Sequence, residues 1–520
     1  MTLESLISDL SVISVTGDPA ATEITGICYD SRKVGEGSVF IALRGDHVDG
    51  HDFIEGAISD GAAAIVAESL PDAGDGSVPH VHVGDSRKFL ADIAGAFYGH
   101  PSKEMATVGI TGTNGKTTTA FLLHHLLQTS WHRCGMLGTV HYSDGETTLP
   151  ATHTTPESGD LQMLLRGMLD NGCRGVVMEV SSHALELDRV RGADFNVGIF
   201  TNLSQDHLDF HKTLENYFAA KCKLFEMLVA SGGTAVINID DTYGRRLFKM
   251  FGDRLPCITY GMRQGCDLRA VDLQFSKIGT QFQLEMKGKT YLVRTPLIGD
   301  FNVFNALAAL AAGRALGINF RESVSAIANS PQVPGRLERL TDKRPFEVFV
   351  DYAHTPDALE KALDTVRELQ PGRIVTVFGC GGDRDRLKRP LMGRAAESGS
   401  DICIITSDNP RTEDPEEILK DVVKGMKGDR YIVVPDRRDA IATAINNARE
   451  SDLILIAGKG HEDYQEINGE RHDFDDRKVA RGYFAGAASA INDVRVERQA
   501  EREKQREERR KEREAAENES

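Results

Sequence analysis

One run, ATVGITGTNGKTTTAFLLHHLLQ at residues 106–128, constrains this chain more than any other. Its first residues are apolar, small or β-branched and read as a buried strand. Thr111-Gly112-Thr113-Asn114-Gly115-Lys116-Thr117 reads as a glycine-rich turn, and the rest reads as a helix. A strand that turns directly into a crossover helix implies a mainly parallel sheet. The glycines let backbone N–H groups converge on phosphate oxygens at the helix N-terminus. Lys116 adds charge, and the Thr117 hydroxyl suits magnesium. The spacing departs from G-x-x-x-x-G-K-[ST], because Ile110 stands five residues before Gly115. Phosphate binding alone leaves a kinase, a nucleotide switch and a ligase open.

The same strand and helix alternation recurs along the chain. SVFIAL, GAAAIVAE and HVHVG read as strands and short helices of a small α/β unit at 1–103. RGVVMEV, FNVGIFTNL and TAVINID continue the buried-strand pattern through a central unit at 104–334. FEVFVDY, RIVTVFGC, DICIITSD, RYIVVPD and DLILIAGKG predict a second doubly wound sheet at 335–490. Ligand loops are then expected at the carboxyl ends of these strands, where the unusual polar motifs fall. The fold class is α/β with three domains, followed by a charged tail at 491–520.

The tail sequence RVERQAEREKQREERRKEREAAENES has almost no apolar residue and no heptad seam, so it reads as a solvated helix or as disorder. Its nine basic and nine acidic residues cancel, and the net charge of −17 therefore lies on residues 1–494. That balance disfavours nucleic acid and anionic membrane as partners. Anionic substrates would have to be held by a few placed cations. The eight cysteines include no Cys-x-x-Cys pair, and they read as small buried hydrophobes in a reducing compartment. No basic start with an apolar run and no uninterrupted apolar stretch of about 18 residues is present, so a cytoplasmic protein is expected. The sequence does not report oligomeric state, and a monomer is the working expectation.

A second polar cluster follows two of the central strands. Glu179 ends VVMEV ahead of Ser181, Ser182 and His183, and TNLSQDHLDFH places Asp206, His207, Asp209 and His211 after the next strand. A carboxylate and an imidazole beside a phosphate loop suit a cation, so Glu179, His207 and Thr117 are candidate magnesium ligands.

The ordered segments TGTNGKTTT, HTTPES, EVSSHAL, TNLSQDHLDFH, LIGDFNVFNALAA, PGRLE, DYAHTPDAL, GCGGDRDRLKRPLM, SDNPRTEDP and GKGHEDYQ resemble the Mur ligases. The resemblance implies an N-terminal UDP-sugar-binding domain, a central P-loop ATPase-like domain and a C-terminal Rossmann-like domain. It implies an ATP-dependent, ADP-forming ligase that joins a carboxylate to an amine through an acyl phosphate, with magnesium as cofactor. Phosphorylation makes physical sense because a free carboxylate would have to expel oxide.

What the resemblance implies for individual residues can be stated in this numbering. ATP would meet Gly112, Thr113, Asn114, Gly115, Lys116, Thr117 and Thr118, with Asn302 near the adenine and Arg336 near the ribose and phosphates. Asp351 and His354 would join Lys116 and His207 in catalysis. Lys221, in Tyr217-Phe218-Ala219-Ala220-Lys221, would carry a carbamate and bind a second magnesium; sequence alone does not separate it from Lys223. Tyr29, Ser31, Asp46, His47 and Val48 would hold the UDP end of UDP-MurNAc-L-Ala-D-Glu. His153, Thr154, Thr155, Ser181 and Arg189 would hold its muramoyl peptide. Leu187 stands where relatives often carry glutamine.

Arg384, Asp408, Asn409, Pro410, Arg411, Gly458 and Glu462 would hold meso-diaminopimelate, with Glu462 taking an ammonium. Diaminopimelate exceeds lysine by one carboxylate, which Arg411 is suited to grip in two-pronged fashion. An L-lysine-adding ligase, a folylpolyglutamate-type ligase and a P-loop nucleotide switch are the alternatives. Read without the resemblance, Asn302 and Asn305 would cap a core helix, and the first-domain loops would be polar turns.

Overall fold

The computed structural model describes residues 1–45, 48–69, 78–340 and 344–484. Asp46, His47 and the charged tail lie outside the described residues. Three sheets of four or more strands organise the chain, and compact packing groups it into two units, residues 1–331 and 332–520.

In the first unit, a five-stranded sheet runs in the order Ser14–Thr16, His80–His82, Ala64–Ala67, Ser38–Ile41, Gly26–Cys28. The first of these strands is antiparallel to its neighbour, and the others pair in parallel. Strands Ser38–Ile41 and Ala64–Ala67 are buried along their whole length, because apolar clusters cover both faces of the sheet.

The second sheet has eleven strands. Its parallel centre places strand Ala106–Thr111 between Val197–Phe200 and Gly175–Glu179. The chain leaves this strand with one neighbour on each side, so the crevice beyond its carboxyl end is a natural ligand position. The glycine-rich turn fills that place and enters helix Lys116–Trp131. This helix packs against the alanine-rich helix Asp300–Ala315, where Gly313 faces Leu126. Antiparallel additions extend both ends of the sheet: Leu268–Ser276, Gly279–Met286 and Lys289–Thr295 at one, His141–Ser143 and Thr148–Pro150 at the other. Both lie beyond the strands expected from sequence. The alternating polarity of Leu268–Ser276 and Gly279–Met286 is the pattern of a sheet with one wet face.

The five- and eleven-stranded sheets share one unit through contacts across their helices. Tyr29 Oη donates to Asp160 Oδ2 at 2.5 Å, Arg87 pairs with Glu157 at 2.9 Å, and Arg191 pairs with Asp92 at 2.8 Å.

The second unit holds the sheet Glu338–Arg339, Glu347–Asp351, Leu453–Ala457, Ile374–Phe378, Ile402–Ile405, Tyr431–Val433, in that order. The five strands expected from its apolar runs pair in parallel, and the two-residue edge strand is antiparallel. The loops after Asp351, Phe378, Ile405 and Ala457 therefore open at one end of the sheet. All eight cysteines are unpaired, and none is fully exposed. No helix among the described residues is long and apolar enough to cross a membrane.

Candidate active site

The glycine-rich turn is held from below by lysines and from the side by a neighbouring strand end. Gly115 has φ +86°, and a Cβ there would come within 2.4 Å of Asn305 Oδ1, so this position requires glycine. Thr201 Oγ1 donates to Asn114 O at 2.7 Å, and Thr113 Oγ1 meets Tyr217 Oη at 3.2 Å. Lys116 Nζ donates to Gly112 O at 3.0 Å and Thr113 O at 2.9 Å. Lys221 Nζ donates to the same Gly112 O at 2.8 Å. Thr118 is buried in the first turn of the helix.

Lys221 lies wholly buried on helix Leu214–Ser231, 4.3 Å above the Tyr217 ring. Burial, reinforced by the positive charge of Lys116, pushes its amine well below the usual lysine value. Among the described residues it forms no ion pair. Lys223, two residues on, is exposed and pairs with Glu186 at 2.8 Å.

Glu179 is buried at the end of its strand. Its Oε2 accepts from Thr117 Oγ1 at 2.9 Å, and its Oε1 accepts from the Thr139 backbone N–H at 2.8 Å. His207 is half exposed, in the left-handed region at φ +52°, with its ring 4.8 Å from that of His183. His211 instead meets Ser182 Oγ at 2.9 Å. Among the described residues no three His, Cys, Asp or Glu side chains gather as a ready metal cage.

A hydroxyl-rich cluster adjoins Glu179. Thr154 Oγ1 meets Thr139 Oγ1 at 3.1 Å, and Thr155 Oγ1 donates to Glu179 O at 2.8 Å. Ser181 caps helix Ser182–Glu186. Arg189 Nη1 donates to Thr155 O at 3.3 Å, and its Nε lies 3.4 Å from Glu157. Thus Thr154, Thr155, Ser181 and Arg189 are brought together, while His153 is exposed and Val48 is 59% exposed. Ser31 begins a short 3₁₀ turn whose preceding residue, Asp30, is clasped by Arg32. Tyr29, through Asp160, joins that region to helix Ser158–Asp170; burial and the Asp160 carboxylate raise its phenol pKa.

Asn302 and Asn305 do not cap their helix, as the bare sequence would have them do. The helix opens at Asp300 after Gly299, so both asparagines lie inside its first turns. There they form a buried chain: Thr119 Oγ1 donates to Asn305 Oδ1 (3.3 Å), Asn305 Nδ2 to Asn302 Oδ1 (3.0 Å), and Asn302 Nδ2 to Ile298 O (2.8 Å).

In the second unit, Gly335 and Gly460 interlock. A Cβ at Gly335 would lie 2.2 Å from the Gly460 carbonyl carbon, and Arg336 then stacks 4.7 Å above the Tyr352 ring. Asp351 accepts from the Leu337 N–H at 2.6 Å and the Ala353 N–H at 2.8 Å, bracing this loop; burial raises its pKa against the pull of Arg336. His354 Nδ1 lies 2.9 Å from Tyr352 O, and Lys388 donates to His354 O at 3.3 Å.

Asp408, Asn409, Gly458 and Glu462 converge. A Cβ at Gly458 would lie 2.6 Å from Asp408 Oδ2, and Asn409 Nδ2 donates to Glu462 Oε2 at 3.0 Å. A Cβ at Gly381 would lie 3.0 Å from Arg411 Nη1 and 4.0 Å from Arg384 Cγ, so both arginines reach one glycine loop. Arg411 donates to Gly382 O at 2.6 Å and lies 3.6 Å from Glu466; Arg384 is exposed. Pro410 packs its carbonyl against Gly382.

Residues 23–98 match the Mur ligase family catalytic domain, 110–313 the Mur ligase middle domain, and 335–460 the Mur ligase glutamate ligase domain. The chain belongs to the Mur ligase family. This Mur ligase is 47% identical over 464 residues to the UDP-N-acetylmuramoyl-L-alanyl-D-glutamate--2,6-diaminopimelate ligase of Clostridium botulinum, spanning 88% of this chain and 94% of that one. A ligase of the same name from Geobacillus kaustophilus is 46% identical over 466 residues, 88% of this chain and 94% of that one. A solved structure bearing that ligase's name superposes with TM-score 0.69 at 34% identity, covering 94% of this chain and 99% of that one. The folylpolyglutamate synthase of Mycobacterium tuberculosis, complexed with ADP and AMPPCP, shares the fold alone, at TM-score 0.61 and 20% identity over 76% of this chain and 95% of that one.

Several residues of this Mur ligase escaped the sequence reading. Thr139, which holds Glu179, lies in none of the quoted motifs, and Glu157, which holds Arg189, lies in HTTPES without being singled out there. Lys459 does lie in one, GKGHE, and its burial is what marks it.

Proposed function

We propose that this Mur ligase adds meso-2,6-diaminopimelate to UDP-N-acetylmuramoyl-L-alanyl-D-glutamate, with ATP converted to ADP and phosphate. The observation that carries this reading is the meeting of Asp408, Asn409 and Glu462 in one cluster, with Arg411 and Arg384 at the adjoining Gly381 loop. Carboxylates suit the ammonium of a diamino diacid, and two guanidinium groups suit its additional carboxylate. The name shared by the closely similar relatives supports the same substrates.

In the first unit, Gly112 to Thr118 cradle the ATP phosphates, Lys116 neutralises transferred charge, and Asn302 stands by the adenine. Thr154, Thr155, Ser181 and Arg189 hold the muramoyl peptide; Tyr29, Ser31 and Val48 serve the UDP end. In the second unit, Arg336, Asp351 and His354 gather around Tyr352. The donor set would fit magnesium at Thr117 and Glu179, with His207 in the segment after strand Val197–Phe200, and at Lys221 once that amine is carbamylated and presents carboxylate oxygens. Bound magnesium supplies charge neutralisation between phosphate and carboxylate. The lowered pKa of Lys221 leaves a larger fraction as free amine, the form that attacks carbon dioxide to give a carbamate and a proton. The enzyme works as a cytoplasmic monomer.

The test is phosphate release from purified protein given ATP, magnesium and UDP-MurNAc-dipeptide with either meso-diaminopimelate or L-lysine. Release dependent on diaminopimelate is expected. Equal rates with lysine would remove the role of Arg411, and no release with either would remove the ligase reaction.

A further inference from the structure

Lys459 follows strand Leu453–Ala457, and its side chain is wholly buried. Its Nζ donates to Asn409 Oδ1 at 2.9 Å and to Glu462 Oε2 at 3.1 Å, and lies 3.8 Å from Asp408 Oδ1. A buried ammonium persists only when paired, and all three partners here come from the two loops assigned to the amino acid. The pairing also settles the orientation of Asn409. With Oδ1 accepting from Lys459 and from the Glu466 N–H at 3.0 Å, the amide nitrogen is turned toward Glu462.

Glu462 is thereby held by one oxygen. Its Oε2 accepts from both Lys459 and Asn409, whereas Oε1 has no hydrogen bond among the described residues. The charge balance points the same way. Arg437 and Asp476, buried beside the loop and paired at 2.7 Å, neutralise each other. Lys459 then faces two carboxylates, Asp408 and Glu462, so the cluster has one negative charge to spare for a cationic ligand.

We infer that Lys459 is a positioning residue for the amino-acid substrate: it fixes Asn409 and Glu462 so that Glu462 Oε1 receives the non-reacting ammonium of a diamino acid. This inference rests on the proposed function and names how that site is held in shape. A substrate ammonium meeting a loose Glu462 would have to order it first, which weakens binding of that substrate alone.

The experiment compares wild type, Lys459→Met and Lys459→Gln in steady-state phosphate release, varying each of the three substrates in turn. Lys459→Met should raise the KM for meso-diaminopimelate about tenfold, with the KM values for ATP and UDP-MurNAc-dipeptide within about twofold of wild type. Lys459→Gln, which keeps an N–H donor for Asn409, should fall between the two, and it carries the comparison if Lys459→Met does not fold. An unchanged diaminopimelate KM overturns the inference, as does a parallel rise in all three KM values. Wild type that responds to a different amino acid overturns the substrate reading instead, and the variants are then compared with that amino acid.

Discussion

Lys221 and Lys459 are both wholly buried, yet their surroundings assign them opposite chemistry. Lys221 has a backbone carbonyl, an aromatic ring and another lysine for company, so burial and Lys116 push its pKa down against the weaker pull of Asp206. Lys459 has two carboxylates and an amide oxygen, an arrangement that holds a cation in place. Burial alone therefore does not say whether a lysine is a nucleophile or a counter-ion. The sign of the neighbouring charge decides it.

The largest effect expected from this contrast is catalytic. Lys221→Met should lower kcat by about 10²–10³, the scale for losing one preorganised electrostatic group at a reacting centre. Its thermal midpoint should hold or rise, because a buried amine with no carboxylate partner has been removed. Calorimetry alongside phosphate release checks both, and an active Lys221→Met would break the comparison.

Lys459→Met should behave the other way in stability. It leaves Asn409, Glu462 and Asp408 facing one another without their cation, so urea unfolding should show a loss of about 1–3 kcal/mol. A variant as stable as wild type would mean that Glu462, which is only partly buried, is rescued by water.

Arg411→Lys sharpens the contrast at the substrate end. A point charge replaces a two-pronged donor, so the diaminopimelate KM should rise about tenfold while lysine, lacking the second carboxylate, is affected less. The ratio of the two KM values is the measurement.

The smallest effect is a slope. Lys221 binds its proton more weakly folded than unfolded, so the unfolded chain holds more protons in the window between its lowered pKa and the usual 10.5. Stability should then rise with pH across that window, by at most about 1.4 kcal/mol per pH unit. Bicarbonate-free buffer keeps the amine unmodified, and Lys221→Met should lose this part of the slope.

Much of the scaffold was legible because buried parallel strands are written as short apolar runs. The five runs of the second unit, from FEVFVDY to DLILIAGKG, all became strands, and the polar motifs stand at their carboxyl ends. The antiparallel ribbon at 268–295 was not legible in the same way, since half its residues face water and weaken the apolar signal. Asn302 and Asn305 read as caps because asparagine favours helix ends; the tertiary partner Thr119 turned them inward instead.

What the sequence determined by itself was the kind of fold and the places where chemistry would gather. Strand periodicity, glycine turns and an excess of −17 on residues 1–494 required parallel sheets with a few placed cations. The tertiary structure alone decided what each of those cations is. Lys221 and Lys223 are two residues apart on one helix, about 200° around its axis. One therefore faces the Gly112 carbonyl and Lys116, and the other faces Glu186. Lys459 likewise acquires Asn409 and Asp408 only when loops far apart in sequence meet at one end of the sheet, whereas Glu462 lies three residues along its own loop. Charge state depends on neighbours across such distances, and a linear sequence does not name them.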